Sequence, residues 1–151
     1  MGKKNISFAT TQTPLPQKGK YPIKPTEPAY YKLNPIFSFR FYHKNHRDLT
    51  FQKLKGRKEF IDFFDRMEQL SQYDWKEIFV HKKDYYHAHE VHWCNTAYKK
   101  GFSHLPHPFA EFPAFQFEIF KECRIFGFFN STNVFKIVWI DREHIVYPKK
   151  K

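Results

Sequence analysis

The stretch AFQFEIFKECRIFGFFNSTNVFKIVWIDREHIVYP, residues 114–148, alternates apolar and polar side chains, and a period of two is typical of β-strands. It predicts strands at about 115–121, 124–130 and 134–140, with a turn over NSTN at residues 130–133. Connections this short make successive strands antiparallel neighbours, so the stretch predicts a β-meander. A final short strand, 144–147, is expected at an edge.

The same alternation assigns side chains to the two faces of the predicted sheet, because successive residues of a strand point in opposite directions. The residues predicted to face inward are Phe115, Phe117 and Ile119 on the first strand, and Phe135, Ile137 and Trp139 on the third.

The chain before the meander changes period twice. Residues 36–44 alternate like a half-buried strand, for which 49–54 is the expected hairpin partner. From Arg57 the apolar residues recur at intervals of three and four, which predicts one amphipathic helix. Ser71 and Asp74 then offer caps for a short second helix in DWKEIF. The apolar face of the first helix is predicted to consist of Phe60, Phe63, Phe64, Met67 and Leu70. The order predicts an α+β fold in which a helical hairpin packs on an antiparallel sheet.

The domain organisation follows from composition. Residues 1–35 contain six of the ten prolines, which block helices and central strands, so they are predicted to form an extended Pro/Lys-rich arm. Residues 36–148 are predicted to form a single domain, and 149–151 a basic tail. Residues 81–110 carry six histidines and four lysines but no sustained apolar period, and are interpreted as a His-rich insertion.

The net charge of +11 favours a polyanionic partner. Six lysines against one acid in residues 1–34 (+5) and three lysines in 148–151 (+3) account for eight of these charges. The basic arm can therefore be a nucleic-acid contact or a solubilising extension. No apolar run reaches the roughly 20 residues of a membrane span, so a soluble cytoplasmic protein without a membrane partner is expected. Cys94 and Cys123 are expected to be reduced thiols, although a bridge between them stays possible.

Several motif-based activities find no support in the sequence. The five glycines form neither a dinucleotide-binding nor a Walker motif, and the nucleophile elbow and the helical HExxH pattern are absent. The segment HAHEVHWC places His87, His89, His92 and Cys94 at spacings that could hold zinc, but no second ligand cluster of recognised spacing follows.

The order of a strand, a helical hairpin and an antiparallel meander resembles the RelE/HigB/ParE superfamily of small toxins. The sharper likeness lies in residues 115–148: an aromatic strand, a strand opening on Arg124, and a strand that ends near an acidic residue and His144. The resemblance covers about residues 36–148 without the insertion. The Pro-rich arm and the insertion depart from the family pattern.

The resemblance implies a metal-independent, cofactor-free endoribonuclease that acts on mRNA, commonly on the ribosome, and is blocked by a cognate antitoxin protein. Such a reaction needs a base for the 2′-hydroxyl, an acid for the leaving oxygen, and cations around the phosphorane. The candidate catalytic residues are Arg124, His144, Tyr147, Lys121 and His92, and the candidate RNA-binding residues are Lys99, Lys100, Tyr98, His87, His89 and Arg142.

Two alternatives remain beside this expectation. The first is a non-catalytic module on the same scaffold that binds nucleic acid or protein. The second, weaker one is a metallonuclease built on the His-rich insertion.

Overall fold

A computed structural model describes residues 27–130 and 132–149. One five-stranded sheet has the spatial order β1-β5-β4-β3-β2, in which β1 runs parallel to β5 and the other neighbours are antiparallel. The strands are β1 (Ile36–Ser38), β2 (His89–Glu90), β3 (Ala114–Phe120), β4 (Cys123–Phe128) and β5 (Val134–Asp141). The helices are α1 (Gly56–Ser71) and α2 (Lys83–Tyr86), with a π-helical turn at Glu77–His81 between them.

The predicted α+β class and meander are confirmed. Within it, Glu118 of β3 lies opposite Arg124 of β4, which in turn lies opposite Asp141 of β5. The antiparallel order of these strands was predicted from sequence because the connections between them are short.

The face assignment of Trp139 was wrong because β5 contains a bulge. Phe126 pairs with Trp139 while the next residue, Gly127, pairs with Ile137, so Val138 is an extra residue without a partner opposite. One extra residue reverses the alternation, and Trp139 therefore points to the face opposite Ile137. Gly127 is required here, since a Cβ atom would lie 2.1 Å from the carbonyl oxygen of Lys136.

The sheet is buried on both faces. Against one face, Phe63 and Leu70 of α1 pack with Trp75 on β-strand residues that include Phe117 and Ile137. Against the other, the insertion supplies a second core, in which buried residues of the loop cover Phe126, Phe128, Val138 and Trp139. These covering residues are Val91, Phe102 and Leu105. The insertion is thus a structural layer of the domain, and all six residues of β4 are buried between the two layers.

The predicted apolar face of α1 was too wide. Phe63 is fully buried, but Phe60 and Phe64 are 40% and 61% exposed. Adjacent residues on a helix point about 100° apart, so only the ridge of Phe63, Met67 and Leu70 reaches the sheet. Phe60 rests instead beside the ring of Phe51, with centroids 6.4 Å apart.

The predicted hairpin of 36–44 with 49–54 does not form. Only three residues remain in strand β1, and Phe51–Lys53 is a 3-10 turn whose preceding Thr50 accepts a hydrogen bond from the Gln52 amide. After β1 the chain crosses to the second face of the sheet, where the His43 amide donates to the Val138 carbonyl at 3.0 Å.

The expected strand at 144–147 is also absent. The buried carboxylate of Asp141 accepts hydrogen bonds from the amides of Ile145 and Val146, at 2.9 and 2.8 Å, and so closes a turn directly after β5. A carboxylate that satisfies two successive amides replaces the ladder bonds of a strand.

The second predicted helix, in DWKEIF at residues 74–79, forms mainly a π-helical turn, Glu77–His81, and α2 lies beyond its predicted end. Asp74 accepts a hydrogen bond from the Glu77 amide at 2.7 Å, as expected of a cap, but the turn that follows is π-helical and α2 has only four residues.

The described end of the predicted arm packs on the domain. Ala29–Lys32 form a 3-10 turn, and the ring of Tyr30 stacks on Phe129 with centroids 4.5 Å apart. The remainder of the arm, residues 1–26, lies outside the described part of the chain, as do residues 150 and 151 of the predicted tail.

Cys94 is exposed and Cys123 is buried, and both are free thiols, so the two are not bridged. Burial raises the pKa of Cys123 to about 12, which keeps this thiol protonated and unreactive. No helix within residues 27–130 and 132–149 combines the length and apolar character needed to span a bilayer.

Candidate functional site

A cavity of about 460 Å³ opens where two loops meet the second face of the sheet. Its walls carry three imidazoles, an indole and a phenol, and two lysines stand at its rim. These lining side chains are His43, His46, His104, Trp139, Tyr98, Lys99 and Lys100. We call this space the first cavity.

One wall comes from the loop that follows β1. His46 Nδ1 accepts hydrogen bonds from the amides of Asp48 and Leu49, both at 3.1 Å, and this double contact fixes the ring. His43 Nδ1 accepts from the indole Nε1 of Trp139 at 3.2 Å. Since an accepting imidazole nitrogen carries no proton, both rings are assigned the neutral tautomer that is protonated on Nε2.

The other wall is a tight turn of the insertion. The Gly101 amide donates to the Tyr98 carbonyl at 2.9 Å, which places Lys99 and Lys100 at the tip of the turn. Gly101 has φ +53°, and a Cβ there would lie 2.4 Å from the indole nitrogen of Trp93, so only glycine fits. The buried ring of Phe102 anchors the turn in the second core.

The rings in this cavity contact one another. His43 and His104 stack with centroids 3.9 Å apart and planes 19° apart, and His104 lies 5.9 Å from Trp139 in a nearly parallel plane. His46 and Tyr98 each meet the Trp139 ring at an angle, with centroids 5.5 and 5.3 Å away. The site is therefore a preformed set of aromatic faces.

All three histidines are uncharged at neutral pH. Burial lowers the pKa of His104 to about 4, with a further contribution from His43 and His46. Burial also lowers the pKa of His43 and of His46, and for His46 nearby Asp48 opposes the effect. The positive charge of the cavity therefore comes from its lysines. Lys99 Nζ itself donates to the carbonyl of Cys94.

A second cavity of about 300 Å³ lies beside the first and shares His43 and His104 with it. Like the first cavity, it is lined by aromatic rings and two cations. Its remaining lining residues are Arg40, Phe41, Tyr42, Lys44, Asn45 and Leu105. No carboxylate is among the described residues that line either cavity. We refer to the two cavities together as the histidine groove.

The α1 side of the molecule has the opposite character. A hollow of about 480 Å³ there is lined by three carboxylates, those of Asp62, Asp65 and Glu68, together with Arg66. A polyanion is therefore attracted to the groove and repelled from this hollow.

The structure places three of the predicted RNA-binding residues, Tyr98, Lys99 and Lys100, in the histidine groove. The other predicted site residues lie elsewhere. Arg142 lies at the end of β5, where its guanidinium forms a bidentate pair with Glu59 of α1, at 2.8 and 2.6 Å.

Arg124 is only 8% exposed, and its guanidinium is engaged by protein oxygens. Nη1 lies 3.2 Å from Glu118 and donates to the carbonyls of Lys121 and Cys123. Glu118 also lies 3.3 Å from His87 Nε2. A phosphate at Arg124 would have to displace this network.

His144 follows β5, and Arg124 pairs with Asp141, the last residue of β5, so both lie at the same end of the sheet. His144 has φ +57°, and its Nδ1 is buried with no hydrogen-bond partner in the described part of the chain. Lys121, whose side chain is exposed, lies at this end of the sheet as well, in the turn between β3 and β4.

The remaining candidates form a third group beyond the groove. The Tyr147 ring lies 5.8 Å from His89, and burial raises the pKa of its hydroxyl, an effect that the backbone of His92 partly offsets. His89 and His92 are exposed. Among the described residues no group of three or more His, Cys, Asp or Glu side chains is arranged to hold a metal ion.

Comparison with protein-family models, with curated proteins and with solved structures gave no match.

Of the residues that line this groove, sequence reasoning identified only Tyr98, Lys99 and Lys100, and it missed among others His43, His46, His104 and Trp139. A signal did exist, because the two loops read HKNH at 43–46 and YKKGFSH at 98–104, both rich in His and Lys. What could not be read was that the bulge in β5 turns Trp139 toward them.

Proposed function

We propose that this protein binds single-stranded RNA in the histidine groove. The observation that carries the proposal is the stack of His43 on His104, exposed between cavities whose rims hold lysine and arginine. Proteins bind single strands by combining aromatic faces for the bases with cations for the backbone.

The ring geometry favours unpaired bases. In a duplex the base faces are covered by their neighbours, so stacking on protein rings requires a base that is free on one face. The first cavity offers such faces at Tyr98 and His104, whose rings are held in place by contacts with the buried ring of Trp139. Because Tyr98 is already held against Trp139, it loses little conformational entropy when a base enters.

The charge distribution favours a phosphate backbone. Lys99 and Lys100 stand on one side of the stacked imidazoles, and Arg40 and Lys44 on the other. Neutral imidazoles add no charge at pH 7, but their N–H groups can donate to phosphate or ribose oxygens. The lysines of the predicted arm would add affinity without sequence preference.

The test is a binding titration of the full chain with a fluorescein-labelled 12-nucleotide single-stranded RNA, read by fluorescence anisotropy at several salt concentrations. The double variant Lys99→Ala/Lys100→Ala is expected to bind about tenfold more weakly at 0.1 M salt. Its plot of log affinity against log salt should be shallower by about 1 to 2, since each lost phosphate contact removes about one unit.

Lys83→Ala is the matched control, because Lys83 is an exposed lysine of α2 on the other layer. Equal affinity of the control and the double variant would contradict the proposal. A duplex of the same sequence and a DNA strand complete the series, and both are expected to bind more weakly than the RNA strand.

RNA cleavage at this groove is the second candidate. The observation that favours it is His104, whose ring, unlike those of His43 and His46, makes no hydrogen bond with the other described residues that line the groove. Neutral at pH 7, His104 could accept the 2′-hydroxyl proton while Lys99 and Lys100 stabilise the phosphorane. A pKa of about 4 makes it a weak base, so binding is the better supported function. The resemblance to RelE-like toxins adds ribosome-bound mRNA and an antitoxin as proposed partners.

Incubation of labelled RNA with the protein in chelator separates these candidates. Metal-independent cleavage predicts product bands that His104→Ala removes. If Arg124→Ala or His144→Ala removes them while His104→Ala does not, the catalytic centre is the one expected from the resemblance. If the RNA is bound but stays intact, the result supports the non-catalytic binding function.

A further inference from the structure

Two cavities of similar composition meet at one shared wall. His43 and His104 line both of them, and behind this wall each cavity continues with its own aromatic rings and its own pair of cations. Trp139 and Tyr98 belong to the first cavity, and Phe41 and Tyr42 to the second. The groove therefore repeats one kind of binding surface twice.

From this repetition we infer that the groove holds two neighbouring unpaired nucleotides with their bases splayed apart, one in each cavity, by the His43–His104 stack. The inference rests on the proposed RNA binding and specifies its unit of recognition. Volumes of about 460 and 300 Å³ fall within or at the lower limit of the range of small-ligand sites, so each cavity has room for at least one base.

The wall is rigid on one side and adjustable on the other. His43 is held by the Trp139 indole through its Nδ1, and its amide is bonded to Val138 of β5. His104, in contrast, is held through ring contacts with His43 and Trp139. His104 can therefore move slightly to close on a base, while His43 fixes the position of the wall.

The cations are placed for a backbone that passes the wall. Arg40 and Lys44 precede and follow His43 closely in the chain, and Lys99 and Lys100 precede His104 in the opposite loop. A phosphodiester that joins the two bases would cross between these pairs. One nucleotide alone reaches only one of the two pairs of cations. A dinucleotide therefore gains both a second stacked base and a second pair of cations.

The experiment compares short 5′-phosphorylated ligands by isothermal titration calorimetry with the full chain. The ligands are the mononucleotide pU, the dinucleotide pUpU, the trinucleotide pUpUpU, and the two dinucleotides in which one base is replaced by hydrogen. Uridine is chosen because uracil bases stack only weakly on one another, so the bases of the free ligands are available to the protein.

We expect pUpU to bind at least about fivefold more tightly than either single-base analogue, since stacking of one base on protein rings corresponds to a factor of about five or more. The third nucleotide should add much less than the second. His104→Ala should abolish the advantage of pUpU, whereas His104→Phe, which restores a stacked ring, should keep it.

Lys44→Ala tests the second cavity by itself: it should weaken pUpU and leave pU nearly unchanged. His81→Ala, an exposed histidine of the π-helical turn, is the matched control. Equal binding of pUpU and its single-base analogues would overturn the inference while leaving RNA binding intact. Failure of the 12-nucleotide strand to bind would overturn the proposed function itself, so the two failures are distinguishable.

Discussion

Arg142 shows how a residue expected to bind RNA can serve the fold. Its guanidinium contacts both carboxylate oxygens of Glu59, which also accepts a hydrogen bond from the Lys55 amide at 2.6 Å. The two side chains are only 16% and 17% exposed. The pair ties the end of β5 to the first turn of α1, and mainly through the Arg142 hydrogen bonds it lowers the pKa of Glu59 to about 2.

Arg142→Ala is therefore expected to lower the free energy of unfolding by about 1–2 kcal/mol at pH 7, since it leaves a partly buried carboxylate without its cation. Urea unfolding followed by circular dichroism measures the change. Arg57→Ala, at an exposed position of α1, is the control and should change stability little. A variant that keeps full stability but loses RNA affinity would instead support the RNA-binding role predicted from sequence.

Arg124, expected to be catalytic, is likewise engaged by other residues of the fold. Burial lowers its pKa while Glu118 opposes the shift, and its Nε is buried without a hydrogen-bond partner among residues 27–130 and 132–149. The sequence marked this arginine correctly as unusual for a strand. The periodicity could not show that the partner opposite, Glu118, would occupy the guanidinium.

At the scale of elements, α1 gives a direct test of which face contacts the sheet. Phe63→Ala should cost about 3–5 kcal/mol of unfolding free energy, because a fully buried ring is removed from a packed core. Phe64→Ala, one position along, should change it by less than about 1 kcal/mol, since most of that ring is in solvent. Thermal or urea unfolding of the two variants side by side checks both values. Similar losses would mean that the exposed ring is covered in solution.

The sequence predicted well those elements in which a regular apolar pattern continues over many residues. Helix α1 and strands β3, β4 and β5 are each specified by their own residues, so their existence and order were predictable. Strand β1 was over-long in prediction because alternation in 36–44 continued after the chain had left the sheet. β4 carried a readable hint of burial on both faces, namely the nearly unbroken apolar run IFGFF, which is typical of strands covered on two sides.

At the scale of the whole molecule, the insertion is the element whose role was least predictable. It has no period of its own because its anchors are single residues, Val91, Phe102 and Leu105, that fit between the side chains of the sheet. Such contacts depend on three-dimensional placement and leave no repeating pattern in the sequence. The same placement brings His104 from the insertion onto His43 from the loop after β1, across 61 positions of sequence. The site therefore arises from tertiary packing, and only its turn residues were visible beforehand.

The lowered pKa values of the groove histidines and of Glu59 predict that stability depends on pH in two steps. His104 has a folded-state pKa of about 4 against an ordinary 6.5, so between these values the unfolded chain binds more protons than the folded one. Stability should therefore fall as pH falls from 6.5 toward 4, and the lowered pKa values of His43 and His46 act in the same direction.

A second loss should follow at lower pH. Glu59 keeps its charge in the folded state down to a pKa of about 2, against an ordinary 4.5, so its stabilisation is complete above 4.5 and is lost as pH falls toward 2. Asp141, whose burial raises its pKa, opposes this second loss because the folded state takes up its proton first. Unfolding midpoints in urea from pH 7 to pH 2.5 should show both steps. His104→Gln should flatten only the upper step and Glu59→Gln only the lower one, whereas an upper step that persists unchanged in His104→Gln would show that His104 does not carry it.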